Sequence, residues 1–260
     1  MIETIPNLPA AVRKQLPDAT LVTVIVRGAR HLSAIELERQ TAAAYRDVRT
    51  QLNAGSKPHV IRMWNFIPAL LEPTSAGQDR YMAFNAGRFS AMCDWFGGAG
   101  HLEKLAPAGS GVGTASDDLT IHALAMIEPG IAIQNPRQKP AVHYSPRYGP
   151  KPPCFARATK VGNVLLVSGT AAITGEESVG GDLDRQLDVT LDNLRALVGE
   201  LSSFTSVRAY FPRASDFDRI SRACSSTFLQ AGAIEFVNVD LCRRELLVEI
   251  EGVAVQSTQQ

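Results

Sequence analysis

Leu21-Val22-Thr23-Val24-Ile25-Val26-Arg27-Gly28-Ala29 is answered later in the chain by Leu165-Leu166-Val167-Ser168-Gly169-Thr170-Ala171-Ala172-Ile173. Both runs are apolar and β-branched and end in small residues, the pattern of a buried strand. Working outward from them, matching elements follow in the same order. Glu38-Arg39-Gln40 opens a helical stretch to Leu52, and Asp184-Arg185-Gln186 opens another to Leu201, 146 positions on. In the second, Leu187, Leu191, Leu194 and Leu197 recur on one helical face. Short strands come next, Val60-Ile61-Arg62-Met63-Trp64 and Ser206-Val207-Arg208-Ala209-Tyr210, again 146 apart. A second helix is predicted over 79–89 and 218–228. The last strand is Asp118-Leu119-Thr120-Ile121-His122 in one half and Glu245-Leu246-Leu247-Val248-Glu249 in the other. Each half therefore reads strand, helix, strand, helix, strand, with a hairpin strand in front. Such a unit cannot cover both faces of its sheet, so the two halves are expected to pack together.

Composition bounds the partners. The 260 residues carry 26 Lys+Arg and 26 Asp+Glu, a formal charge of zero, which argues against nucleic acid or an anionic membrane held by bulk charge. A 45% hydrophobic and 20% charged chain is globular rather than disordered. Cys93, Cys154, Cys224 and Cys242 are scattered without a CxxC pair, which fits neither a zinc site nor a disulfide framework. No basic segment followed by an apolar stretch opens the chain, and no apolar run approaches 18 residues, so a soluble cytoplasmic protein is expected. The five histidines form no HExxH, and no metal site is expected. Gly109-Ser110-Gly111-Val112-Gly113 lacks the lysine of a phosphate loop and reads as a turn. Trp64 and Tyr210, at matched positions, read as core.

Between the halves, residues 134–153 hold Pro136, Pro140, Pro146, Pro150, Pro152 and Pro153. Proline at this density forbids an α-helix and favours extended chain. The segment is either a spacer or, since it also carries Arg137, His143, Tyr144, Arg147 and Tyr148, part of a site. The predicted division is a tail over 1–18, a first half over 19–133, a linker contributing to the site over 134–155, and a catalytic half over 156–260.

The last strand breaks the symmetry of the repeat. In Leu246-Leu247-Val248-Glu249-Ile250-Glu251-Gly252, period-two alternation puts Leu247, Glu249 and Glu251 on one face. Either both carboxylates face water, or burial raises a carboxyl pKa toward that of a general acid. His122 occupies the place of Glu249 in the first half and Thr120 that of Leu247, so at most one half carries this acid. Cys242, seven residues before Glu249, reads as a small buried hydrophobe, with Arg243-Arg244 as a turn or bulge between them. No serine or cysteine shows a His/Asp partner pattern, and G-x-S-x-G is absent.

Arg62-Met63-Trp64-Asn65-Phe66-Ile67-Pro68, Asp79-Arg80-Tyr81-Met82-Ala83-Phe84-Asn85-Ala86-Gly87-Arg88 and Asn135-Pro136-Arg137-Gln138 resemble motifs of the chorismatase family. So do Tyr148-Gly149-Pro150, Phe155-Ala156-Arg157-Ala158, Ser168-Gly169-Thr170-Ala171 and residues 242–251. The resemblance runs in order from about residue 20 to 255. It implies an α+β fold of two tandem YjgF/chorismate-mutase-like halves, each a mixed sheet with two helices on one face. It also implies cleavage of the enolpyruvyl ether of chorismate, releasing pyruvate and a hydroxybenzoate or a dihydroxycyclohexadiene carboxylate. Glu249 then matches the acid that protonates the enolpyruvyl methylene, and Cys242 a catalytic-pocket cysteine. Arg157 matches a carboxylate-binding arginine and Tyr144 a substrate-binding tyrosine, with Thr170 and Ala171 beside them. No cofactor is implied.

Two positions depart from the family pattern. The arginine expected before the Tyr-Gly-Pro run falls on Pro146, with Arg147 one place late, and the histidine expected in Gly175-Glu176-Glu177-Ser178 is Glu176. The chain is also short of the family's N-terminal extension. Arg147 is expected to reach the second carboxylate of the dianionic substrate through a kink at Ser145-Pro146. An enamine/imine deaminase of the wider superfamily and a non-catalytic carboxylate-binding protein are the alternative readings. A monomer is favoured over a homotrimer, because two halves on one chain supply one border internally.

Overall fold

The computed structural model describes residues 10–74 and 77–256, so residues 1–9 of the expected tail lie outside the described residues. Helix α1 (Ala10–Gln15) leads into strand β1 (Thr20–Val26), helix α2 (Ala34–Ala54), strand β2 (His59–Pro68) and helix α3 (Arg80–Phe96). A single turn, α4 (Leu102–Leu105), precedes β3 (Ala108–Thr114) and β4 (Leu119–Met126). Then come β5 (Ile131–Ile133), β6 (Ala158–Val161), β7 (Val164–Ala171) and a small hairpin of β8 (Ile173–Thr174) and β9 (Glu177–Ser178). Helix α5 (Leu183–Val198), β10 (Phe204–Phe211), α6 (Phe217–Thr227), β11 (Ala233–Asn238) and β12 (Glu249–Val255) complete the order.

The first sheet has the order β1-β4-β2-β3 and the second β11-β10-β12-β7-β6-β5. Read from β7, the second sheet repeats the first: β12 is antiparallel to β7 and β10, as β4 is to β1 and β2. Strand β11 runs parallel to β10, as β3 does to β2. The register agrees to the residue, with Trp64 opposite His122 in one sheet and Tyr210 opposite Glu249 in the other. The chain is thus a tandem pair of one α+β topology.

Local chemistry sets the helix ends. The side chains of Ser33, Asp79 and Asp182 each accept the backbone N–H three residues on, capping α2, α3 and α5. Helix α3 stops where Gly97 turns left-handed, at φ 78°. The leucines of α5 named above are buried against the second sheet, and Leu37, Tyr45, Val48 and Leu52 of α2 against the first. Between the sheets lies a further core, where Ile61, Trp64, Phe66 and Leu124 meet Leu166, Tyr210, Leu246 and Val253. The sheets therefore face one another with helices outside, and Val12 and Leu16 of the N-terminal segment insert into that central layer. No helix of the described residues is long and apolar enough to cross a membrane.

The structure differs from the sequence expectations at five points. The hairpin strand in front of the repeat exists among the described residues of the second half alone, as β6. Ile131–Ile133, assigned by sequence to the first half, pairs with β6 and extends the second sheet. Helix α3 continues past Phe89 to Phe96. The last strand starts at Glu249 rather than Glu245. Residues 109–113 are not a turn but the body of edge strand β3. Glycine is disfavoured in strands, which hid this one. The close approach of other groups overrides that bias: a Cβ at Gly109 would stand 3.2 Å from Phe155, and one at Gly111 3.2 Å from the Tyr81 ring.

The two helices of the first half touch at Gly87, where an added Cβ would overlap the Glu38 carbonyl and lie 2.9 Å from the Thr41 Cβ. Gly87→Ala is expected to destabilise the fold by about 1–3 kcal/mol through overpacking. A urea midpoint equal to that of the unaltered chain would show that α2 and α3 separate freely.

Candidate active site

A cavity of about 280 Å³ opens where the two sheets and the proline-rich segment meet. Its floor is Ser110 of β3, Gly169 and Ala171 of β7 and Glu249, the first residue of β12. Helix α3 contributes Tyr81 and Arg88, the 134–155 segment Tyr144, Tyr148 and Phe155, and the loop before β12 Cys242 and Arg243. One chain builds it from both halves.

Both glutamates of the last strand are buried, so the water-facing alternative does not hold. Their surroundings are opposite. Glu251 accepts from Arg62 Nη2 at 2.7 Å, Trp64 Nε1 at 2.9 Å, Tyr210 OH at 3.0 Å and Arg208 Nη1 at 3.4 Å, and also from the Ser110 hydroxyl. Glu249, 4% exposed, has no hydrogen-bond donor among the described residues. Burial above all, then the negative charge of Glu251, pushes its pKa up to about 8, against the pull of Arg62 and Arg157. One carboxyl thus stands without a donor and the other is paired with two guanidinium groups.

Three arginines face this acid across the cavity. Arg157, 2% exposed, donates Nη2 to Tyr144 OH at 2.8 Å and to the Lys139 carbonyl at 2.9 Å, and its Nε is unpartnered. Arg88, also 2% exposed, donates Nη2 to Asn85 Oδ1 at 2.6 Å, and its Nε too is unpartnered. Arg243 donates Nη1 to Ser178 Oγ and the Glu176 carbonyl and lies 3.8 Å from the Tyr148 ring centre. None of the three is ion-paired among the described residues. An uncompensated cation in a protein interior is costly, and a bound anion removes that cost.

The sequence-predicted residues divide accordingly. Glu249, Cys242, Arg157, Tyr144 and Ala171 line one cavity, and Arg147 stands at its rim. The expected kink is present as a 3₁₀ turn over Pro146–Tyr148. It turns Arg147 outward, however, where the exposed guanidinium pairs with Glu177 at 2.6 Å. Arg243 faces both Tyr144 and Tyr148, 5.5 and 3.8 Å from their ring centres, while Arg147 lies 5.5 Å from the Tyr148 ring on the exposed side. Thr170 does not line the cavity; strand alternation turns its buried hydroxyl to the Ser168 carbonyl at 3.0 Å. Burial and then Glu249 push the Cys242 thiol up to about 12, so it is a neutral wall rather than a thiolate. Glu176 is not a loose anion near the site: it accepts from the Ser145 N–H at 2.9 Å and pairs with Lys139 at 3.0 Å. His122 is buried away from the cavity beside Thr23, its pKa lowered to about 4 by burial.

Arg88, Arg243, Tyr81, Phe155 and Ser110 were not read from the sequence as site residues. Tyr81, Asn85 and Arg88 fall at i, i+4 and i+7, a polar stripe on a helix whose neighbouring positions Ala83, Phe84 and Ala91 are core. That stripe was the available signal. Ser110 and Phe155 carried none, because only the meeting of the two sheets brings them in.

Gly169 is the tightest constraint, since an added Cβ would overlap the Glu249 carboxylate and stand 3.0 Å from Ser110 Oγ. Gly169→Ala is expected to fold and to lose at least about a hundredfold of any Glu249-dependent activity, since a displacement of about 1 Å costs that much. Unimpaired activity would show that the carboxylate has room to move.

The FkbO/Hyg5-like chorismatase N-terminal family model matches residues 16–125. Among curated proteins, a 3-hydroxybenzoate synthase of Streptomyces hygroscopicus is 34% identical over 239 residues, 83% of this chain and 69% of that protein. A chorismatase of the same organism is 32% identical over 232 residues, 82% of this chain and 66% of its own length. The chain thus spans about two thirds of the curated relatives it matches. A crystal structure of a chorismatase superposes with a TM-score of 0.80 at 30% identity, covering 92% of this chain and 75% of that one. Sequence, fold and the order of the two halves agree: this chain belongs to the FkbO/Hyg5-like chorismatase family.

Proposed function

We propose that the chain acts on chorismate or a close enolpyruvyl relative, cleaving the enolpyruvyl ether by protonating its terminal carbon. The observation that carries this reading is Glu249, a buried carboxyl without a hydrogen-bond donor among the described residues, with its pKa raised to about 8, facing, across the cavity, arginines that are not ion-paired. Near neutral pH it holds a proton, and its raised pKa suits transfer to carbon. The proton goes to the methylene carbon, and the ether carbon becomes an oxocarbenium ion. Water, or an oxygen of the substrate itself, adds there, and the adduct collapses to pyruvate and the ring product. Glu249, left as a carboxylate, recovers its proton from whichever O–H adds, that of the attacking water or of the attacking substrate hydroxyl.

A dianion needs two cationic contacts. Arg157, held by Tyr144, presents a planar fork to one carboxylate. Arg88 and Arg243 are the candidates for the other, in place of Arg147, which Glu177 engages. The 134–155 segment is on this reading a wall of the site rather than a spacer, and the 156–260 half carries the acid.

Protein mixed with chorismate is expected to release pyruvate, with a new ring product on chromatography. Ammonia released from an amino-acid-derived imine, or a thermal shift with neither product, would sink this reading in favour of a deaminase or a binding protein. Glu249→Gln is expected to cost about 10²–10⁴-fold in turnover, and more than a tenth of the activity retained removes Glu249 from the role. His122→Ala is expected to leave turnover nearly unchanged. Because the protonated acid is the active form, kcat/KM should fall about tenfold per pH unit once pH rises past about 8.

A further inference from the structure

Glu251 has no place in the chemistry just described, although it is the most heavily engaged side chain beside it. Five donors, two of them guanidinium groups, converge on its carboxylate. Three of the five come from the other half of the chain: Arg62 and Trp64 of β2 and Ser110 of β3. Two of the donors are ion-paired to it, Arg62 at 2.7 Å and Arg208 at 3.4 Å. Glu249 lies two residues earlier on the same strand face, roughly 7 Å away by strand geometry. Ser110 ties the two together. Its hydroxyl donates to Glu251 and accepts both Arg62 Nη2 at 2.6 Å and the Gly169 N–H at 2.8 Å, directly beneath the Glu249 carboxyl.

The other groups that face Glu249 do not supply a buried anion. Cys242 from the preceding loop, Tyr81 from α3 and Tyr210 from β10 are all driven upward by burial and stay neutral. Glu245 is at the exposed rim. The cations that face it are Arg157, Arg88 and Arg243 across the cavity and Arg62 beside Glu251, and Arg62 and Arg157 pull against the push of Glu251.

Resting on the reading of Glu249 as the acid, we propose that Glu251 is a positioning residue: a fixed anion that keeps Glu249 protonated. The first half, which carries no acid of its own, sets the acidity of the second half's acid by holding that anion through Arg62, Trp64 and Ser110. The like charge opposes ionisation of Glu249 before the substrate binds and drives its reprotonation after turnover.

The test is a titration of Glu249 in the free, full-length protein by carbon NMR of labelled glutamate, with Glu249→Gln assigning the signal. Glu251→Gln is expected to lower the Glu249 midpoint by about one unit. It should also move the alkaline limb of pyruvate release down by the same amount. Tyr210→Phe removes one donor, leaves the anion less compensated, and should move the midpoint the other way. A merely structural Glu251 would not give shifts of opposite sign. A midpoint unmoved in Glu251→Gln overturns the proposal. If that variant does not fold, Tyr210→Phe decides alone, and an unmoved or lowered midpoint overturns it. Because the titration needs no substrate, opposite shifts in a protein that releases no pyruvate would uphold the positioning role and count against the chorismate reading instead.

Discussion

The two sheets are joined by one buried ion cluster, and the site depends on it. Arg62 and Glu251 are each almost wholly buried and 2.7 Å apart across the sheet interface. Removing either partner leaves an uncompensated interior charge, a loss of about 3–5 kcal/mol. A pair of this kind adds little stability over apolar packing, but it tolerates only one relative placement of the sheets. That placement brings β3 against β7 and so sets Ser110 beneath Gly169 and Glu249.

Around that anchor the chain closes its cavity with residues that would be poor choices elsewhere. Glycines in an edge strand let Phe155 and Tyr81 approach the backbone of β3. A proline-rich segment holds Tyr144, Tyr148 and Phe155 along the opening without a helix, and two 3₁₀ turns aim them. Glu176 fastens the first of these turns from below through Ser145 and Lys139. The anion that replaces an expected histidine is therefore a strut for the wall, neutralised by its own lysine.

Duplication followed by divergence is visible in the paired positions. His122 and Glu249 hold the same register in the same topology. One is a neutral imidazole tied to Thr23, and the other a carboxyl that lines the cavity. The first half contributes instead from its sheet face and from α3, where Arg62, Ser110, Tyr81 and Arg88 stand. Its lack of an acid does not make it a passive partner.

Several features were determined by the sequence alone. Hydrophobic periodicity and a repeat of matched elements in one order, at spacings of 146 to 127 residues, set the two halves, their helices and most of their strands, because strand and helix periods are local properties. Alternation along residues 246–252 put Glu249 and Glu251 on one face, and the comparison with His122 set the two halves apart. Other features were decided only by the tertiary structure. The glycines of 109–113 form a strand because another strand and two rings lie against them, a long-range contact with no local signature. Arg243 rather than Arg147 is the cation stacked on both tyrosines, because the loop before β12 folds back to place Arg243 on Glu176 and Ser178 while Glu177 holds Arg147 at the rim. The same face of one strand yields a carboxylate with five donors and a carboxyl with none among the described residues, because three of those five donors come from the other half of the chain.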